Sequence, residues 1–129
     1  MEIPGGLFYT KDHEWARIEG KNAYVGITDY AQSSLGDITF VELPKAGAPL
    51  KQGEFCATVE SVKAASEVYA PFSGKVLSVN QELPGHPELA NQSPYQKGYF
   101  FIMELSNEEE KASLMDADAY RSYVEGLSR

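Results

Sequence analysis

Between Gly53 and Gly74 the chain is arranged about one cation. Lys63 lies ten residues after the first glycine and eleven before the second, and strand-like segments at 55–60 and 67–70 flank it. Small residues Ser61, Ala64, Ala65 and Ser66 surround it. This approximate symmetry predicts a projecting hairpin with Lys63 at its midpoint, and a hairpin of that kind has to be mounted on further strands.

Those strands are legible on both sides. Segments 8–10 and 15–18, the turn signal Glu19-Gly20-Lys21-Asn22 and segment 23–27 make an amino-terminal hairpin. Thr28 can cap a short helix through Leu35, with Asp29 in its first turn and Gly36 just past its end. Such a helix needs packing of Tyr30, Ala31 or Leu35 to hold it. Strand character returns at 38–43 and stops at Pro44, and Gly47, Pro49 and Gly53 punctuate a loop. Segment 75–79 follows the turn Pro71-Phe72-Ser73-Gly74. The polar, proline-containing segment 80–97 reads as a long surface loop that covers or shapes a site, and 99–105 is the most apolar strand.

The carboxyl end changes character. Ser106 with Glu109 forms a capping box, predicting a helix to about Met115, and Asp116 can cap a second helix whose Tyr120, Tyr123, Val124 and Leu127 make one apolar stripe. The expected architecture is mostly β. It is a flattened barrel or sandwich of two antiparallel sheets, a barrel-sandwich hybrid, with a short internal helix and carboxyl-terminal helices. One domain spans 1–129, with 106–129 packed on it as a helical extension.

Charge narrows the partners. Nineteen acidic against eleven basic side chains give a net charge of -8, which suits neither nucleic acid nor an anionic membrane surface. A basic docking face on another protein fits better. Asp37, Glu42, Glu60 and the run Glu108-Glu109-Glu110 can steer such an encounter, or can simply be a solvated acidic face. Cys56, the single cysteine, reads as a small packed side chain inside a sheet. No secretory leader or membrane-length apolar span is visible in the sequence, and the expected setting is the cytoplasm if the chain is bacterial, or the mitochondrial matrix if it is a trimmed eukaryotic protein.

An enzyme reading finds little. His13 and His86 are far apart, and no nucleophile-elbow motif, phosphate-binding glycine loop or metal-ligand spacing is present. The pair Asp116 and Asp118 reads as a helix start, and neither a catalytic nor a metal site is assigned. Lys63 could be an ordinary turn lysine. A Schiff-base lysine would need an apolar or electropositive pocket, whereas Glu60 and Glu67 favour its charged form. A carrier lysine needs exposure, a rigid base and little bulk beside it, which its neighbours provide.

The run Glu60-Ser61-Val62-Lys63-Ala64-Ala65-Ser66-Glu67-Val68-Tyr69-Ala70-Pro71-Phe72-Ser73-Gly74 resembles the lipoyl-attachment segment of the glycine cleavage system H-protein family. The likeness covers nearly the whole chain, through His13-Glu14-Trp15, Val25-Gly26-Ile27-Thr28, Leu35-Gly36-Asp37, Phe40-Val41-Glu42-Leu43-Pro44, Val79-Asn80, Pro87-Glu88-Leu89, Asn91 and Ser93-Pro94-Tyr95. Biotin carriers place methionines around their lysine, and 2-oxo acid dehydrogenase carriers place aspartate before it. Val62 and Ala64 match neither. Tyr99 stands where the family often has tryptophan, and Glu67 where aspartate is also common.

The resemblance implies a non-enzymatic carrier with lipoic acid joined covalently to Lys63. It would take an aminomethyl group from a pyridoxal-phosphate glycine decarboxylase and present it to a tetrahydrofolate-using aminomethyltransferase. The dithiol would then pass to an FAD-dependent dihydrolipoamide dehydrogenase. A lipoyl ligase or lipoyltransferase would modify it, and it is expected to be a monomer. The resemblance also implies that Glu14, and more weakly Glu67, contact the loaded arm; the alternative is that Glu14 ends a loop and Glu67 solvates the hairpin. A second functional reading is a lipoylated interaction or lipoate-distribution protein outside glycine cleavage.

Overall fold

A computed structural model of the chain describes residues 1–127. Ser128 and Arg129, at the end of the expected extension, lie outside the described residues. Strands β1 (Phe8–Tyr9), β2 (Glu14–Glu19) and β3 (Asn22–Ile27) are antiparallel neighbours, and pairing of Glu19 with Asn22 leaves a two-residue turn. Helix α1 (Asp29–Leu35) has the expected caps: Thr28 Oγ1 accepts from Ala31 N at 3.2 Å, and Gly36 N donates to Gln32 O at 3.0 Å. Ala31 and Leu35 rest on the main core and Tyr30 on a second, aromatic cluster, which supplies the support so short a helix needs.

The remaining strands are β4 (Ile38–Glu42), β5 (Pro49–Leu50), β6 (Phe55–Ser61), β7 (Ala65–Tyr69), β8 (Gly74–Val79) and β9 (Phe101–Leu105). They form one sheet in the order β1-β2-β3-β9-β8-β5 and a second in the order β4-β6-β7, with every pairing antiparallel. This is the two-sheet arrangement expected from the sequence. The apolar β9 lies inside the larger sheet, where Phe101 and Met103 are fully buried. On the smaller sheet Val59 and Val68 face the core, each worth about 1.5–3 kcal/mol of burial. Cys56 is buried beside them; its thiol donates to Val68 O at 3.4 Å and burial pushes its pKa up, so it acts as packing.

Five local expectations are corrected. The segment 80–97 is not a surface loop throughout: it contains α2 (Leu89–Gln92), and Leu83 and Ala90 are fully buried. Trp15 fastens it to β2, its indole N–H shared between Ile27 O and Pro94 O at 3.0 Å each. Pro49, read as loop punctuation, belongs to the two-residue edge strand β5, where a missing amide is tolerated. The strand expected from Tyr99 begins at Phe101, because Tyr99 N is drawn into a turn with Gln96 O.

The fourth concerns the helix expected from Ser106 to Met115. It is a 3₁₀ helix, Glu108–Ser113, capped by Asn107, whose side chain accepts from Glu109 N at 3.1 Å. Ser106 stands one residue before that cap and its amide donates to Ser73 O instead of to a Glu109 side chain, while Glu110 accepts from Ser73 N and Oγ at 2.7 Å each. The second helix, α3 (Ala117–Leu127), starts as expected with Ala119 N donating to Asp116 Oδ1 at 2.9 Å. Tyr120 and Val124 pack inward and Tyr123 is half-buried, but Leu127 is 47% exposed, so the stripe ends one turn early.

Candidate functional site

The hairpin strands run closer to the lysine than the sequence suggested. β6 continues through Ser61 and β7 begins at Ala65, leaving Val62, Lys63 and Ala64 as a three-residue tip. Ser61 braces it: Ser61 N donates to Ala64 O at 2.8 Å, and Ser61 Oγ accepts from Lys63 N and Ala64 N at 3.2 Å each. A serine opening a tight turn is the sequence signal for this role, and reading Ser61 only as small overlooked it. A second tether comes from outside the hairpin, where Val62 N donates to Asp37 O at 3.1 Å. Lys63 is exposed, and its amine has no hydrogen-bond or ion-pair partner among the described residues.

Glu14 lies in a contrasting setting. It is 1% exposed at the start of β2, although a carboxylate is costly to bury without partners. Its two oxygens are both used: Thr10 Oγ1 donates to Oε1, and Tyr69 N donates to Oε2 at 3.1 Å. Burial dominates over these two bonds and pushes its pKa up to about 7, with the Asp12 carboxylate adding to the rise. Tyr69, not singled out from the sequence, joins the two predicted acids, since its amide serves Glu14 while its hydroxyl donates to Glu67 at 2.8 Å. Glu67 itself is exposed on β7.

A cleft of about 240 Å³ opens beside Glu14, lined by Thr10, Asp12, Tyr69, Pro71 and Met115 among others. Four parts of the chain make it: the loop before β2, the turn Gln52-Gly53 before β6, the end of β7, and the strap between the 3₁₀ helix and α3. Met115 and Tyr9 exchange backbone hydrogen bonds at 2.8 and 2.9 Å, fixing that strap to β1. Behind the cleft His13 adopts a φ of 70°, uncommon for a residue with a side chain. It is held there by its own backbone bonds to Thr10 O and from Thr28 N, and by Nδ1 at 2.8 Å from the Tyr120 hydroxyl. Burial lowers the pKa of His13.

The structure thus brings Glu14 to the cleft and ties Glu67 to its rim through Tyr69, while Lys63 stands at the end of the same hairpin. Glu67 and Tyr69 share one face of β7, the strand that runs from the tip to the cleft that Tyr69 lines. A larger groove of about 810 Å³ passes Lys51, Gln52, Ser73 and Glu110. It includes none of the three residues, and its Glu110 is already engaged by Ser73. Among the described residues no group of three or more His, Cys, Asp or Glu side chains is placed to hold a metal, and no helix is long and apolar enough to cross a membrane.

An antiparallel sandwich that offers one unpaired lysine on a braced three-residue tip has the form of a carrier domain. The comparisons agree on which kind. Residues 7–126 match the family model described as glycine cleavage H-protein. A glycine cleavage system H protein of Brevibacillus brevis is 53% identical over 124 residues, 96% of this chain and 98% of that protein. One from Stenotrophomonas maltophilia is 54% identical over 125 residues, 96% of this chain and 95% of the other. The crystal structure of a glycine cleavage system H protein from Mycobacterium marinum superposes with a TM-score of 0.84 at 34% identity, covering 98% of this chain and all of that one. The chain belongs to the glycine cleavage H-protein family.

Proposed function

We propose that this chain is the lipoyl-carrying shuttle of the glycine cleavage system, with Lys63 as the attachment point. The carrying observation is the tip: an exposed, unpaired amine on three residues whose base is fixed by Ser61 and Asp37. Acylation removes one positive charge and leaves the stem mobile above a fixed base. When attached, the lipoyl group supplies the disulfide and dithiol chemistry that moves an aminomethyl unit from glycine decarboxylase to aminomethyltransferase and returns through dihydrolipoamide dehydrogenase. The chain's own part is presentation, as a non-enzymatic monomer modified by a lipoyl ligase or lipoyltransferase. The chain acts as one carrier domain, with the described residues 106–127 as its packed extension. A bacterial cytoplasmic setting follows the bacterial relatives.

The cleft fits a resting place for the loaded arm. Its wall offers the apolar surfaces of Pro71, Leu114 and Met115 beside one buried acid. A few methylenes laid there at ~0.8 kcal/mol each gain about 2–4 kcal/mol before mobility is lost, a hold a partner can break. Glu14, kept partly protonated near neutral pH by burial, would release its proton to water as an ammonium group arrives, or pass it to a neutral amine, and then form a charge-assisted hydrogen bond with the ammonium. Glu67 and the Tyr69 hydroxyl guide the approach. No observation favours a lipoylated protein outside glycine cleavage.

The test is glycine decarboxylation by the pyridoxal-phosphate enzyme with this protein as acceptor. The lipoylated chain should support release of carbon dioxide from glycine, and K63A taken through the same lipoylation reaction should not. Equal release with K63A would refute the assignment.

A further inference from the structure

We propose that Asn91 is a positioning residue for the lysine tip, acting through the Gly36–Ile38 turn. This rests on the reading of Lys63 as the lipoylated residue. Asn91 belongs to α2, which is too short to be stable alone and is held by the fully buried Ala90 and by the fold-back at Gly98. At Gly98 a Cβ would stand 2.4 Å from Leu89 O, so only glycine lets the chain close over this helix.

From that mount Asn91 clasps the turn after α1 from both ends. Its Oδ1 accepts from Ile38 N at 2.9 Å, while its Nδ2 donates to Gly36 O and to Gln32 Oε1, each at 2.9 Å. The orientation of the amide is fixed by its partners, because a backbone N–H only donates and a carbonyl only accepts. Between the two clasped residues stands Asp37, whose carbonyl receives Val62 N from the tip.

The turn also carries the lysine stem. A Cβ at Gly36 would lie 3.3 Å from Lys63 Cε and 3.7 Å from Cδ, so the unmodified side chain rests against this glycine. With φ 79° and ψ -157°, Gly36 occupies backbone space that other residues avoid. Two fixed points therefore place the amine: the Asp37 carbonyl for the tip backbone and the Gly36 surface for the stem. Asn91 sets both. An acylating enzyme that must bring Nζ to its activated carboxyl would meet the lysine in one place instead of many.

The test uses the unlipoylated full chain, a lipoyl ligase, lipoate and ATP, with intact mass as the readout of kcat/KM for attachment. N91A should lower kcat/KM roughly ten- to a hundredfold, the scale of a small misplacement of a reacting group. Amide exchange at Val62 should speed by about tenfold or more while Val59 and Val68, deep in the same hairpin, keep their protection. Acylation of Lys63 by a small N-hydroxysuccinimide ester should be unchanged, since the amine is exposed either way. N91D keeps the acceptor for Ile38 N but sets a carboxylate oxygen against Gly36 O and Gln32 Oε1, so its rate should fall at least as far as that of N91A. Wild-type attachment rates in N91A, or in N91D if N91A does not fold, overturn the proposal, as does an unchanged Val62 amide. A wild-type chain that takes up no lipoyl group refutes the Lys63 reading itself, and the proposal with it.

Discussion

The hairpin tip and the cleft solve opposite problems with neighbouring parts of one strand pair. At the tip every hydrogen bond is on the backbone and the side chain only rests its stem against Gly36; Ser61 Oγ and Asp37 O hold amides, and the Lys63 amine is unpartnered among the described residues. At the cleft the side chain itself is held, with Glu14 buried, bonded through both oxygens and shifted toward neutrality. Presentation needs a fixed base and a free end, whereas retention needs a fixed acceptor whose charge can be called up by its ligand. Tyr69, bonded to Glu14 through its amide and to Glu67 through its hydroxyl, is where the two regions meet.

The contrast is broken most completely at the tip. K63A should abolish lipoylation and carrier activity while changing unfolding free energy by only roughly 0.5 kcal/mol or less, since an exposed side chain is removed. Intact mass and a urea titration read the two separately. At the back of the cleft Y120A removes a fully buried ring stacked on Tyr9 at 4.6 Å, and the hydroxyl that meets Thr28 and His13. It should cost about 3–5 kcal/mol by denaturant unfolding. The modification rate of Lys63 should change little in the folded fraction, because the tip lies outside this cluster.

E14Q sharpens the comparison through pH. A carboxyl raised from 4.5 to about 7 binds more protons folded than unfolded between those values. Stability is therefore lost as pH rises from about 4.5 to 7, by up to roughly 3 kcal/mol, and the deficit stays constant above 7. The substituted side chain does not titrate. Its Oε1 can accept from Tyr69 N, but its amide then faces a Thr10 Oγ1 that already accepts from Asp12 N and Glu14 N, so one bond is lost at a cost of about 0.5–1.5 kcal/mol. The variant should lie below the wild type by about that amount near pH 4 and exceed it by about 1–3 kcal/mol at pH 8 in urea unfolding. In the loaded carrier the same variant should shorten the lifetime of the aminomethyl group. The smallest effect is S61A, which should cost about 0.5–1.5 kcal/mol and speed amide exchange at Lys63 and Ala64.

The sequence disclosed what is local. Turn residues around Lys63, the Thr28 and Gly36 caps, and the apolar run of β9 each act within a few positions of themselves, and each was visible. The cleft was not visible from the residues alone, because its wall joins Thr10, Tyr69 and Met115 from distant parts of the chain, and Glu14 reads as an ordinary strand-start acid until its burial is known. Only the family resemblance pointed to it. The buried positions of the 80–97 segment, Asn80, Leu83, Ala90, Pro94 and Tyr95, are spaced without helical or strand period among polar residues, so their shared interior left no pattern to read. The 3₁₀ helix failed for a related reason: the bonds from Ser106 and Glu110 to Ser73 that hold it reach across more than thirty positions, so they overruled a capping signal that local sequence made persuasive.

The central claim is that one lysine, chosen by its mounting, carries the group. Peptide mapping by mass spectrometry of the protein purified from its native cells tests it most directly. A single lipoyl increment confined to the peptide containing Lys63 is the predicted result. An increment on another lysine, or none on any peptide from lipoate-replete cells, would contradict it.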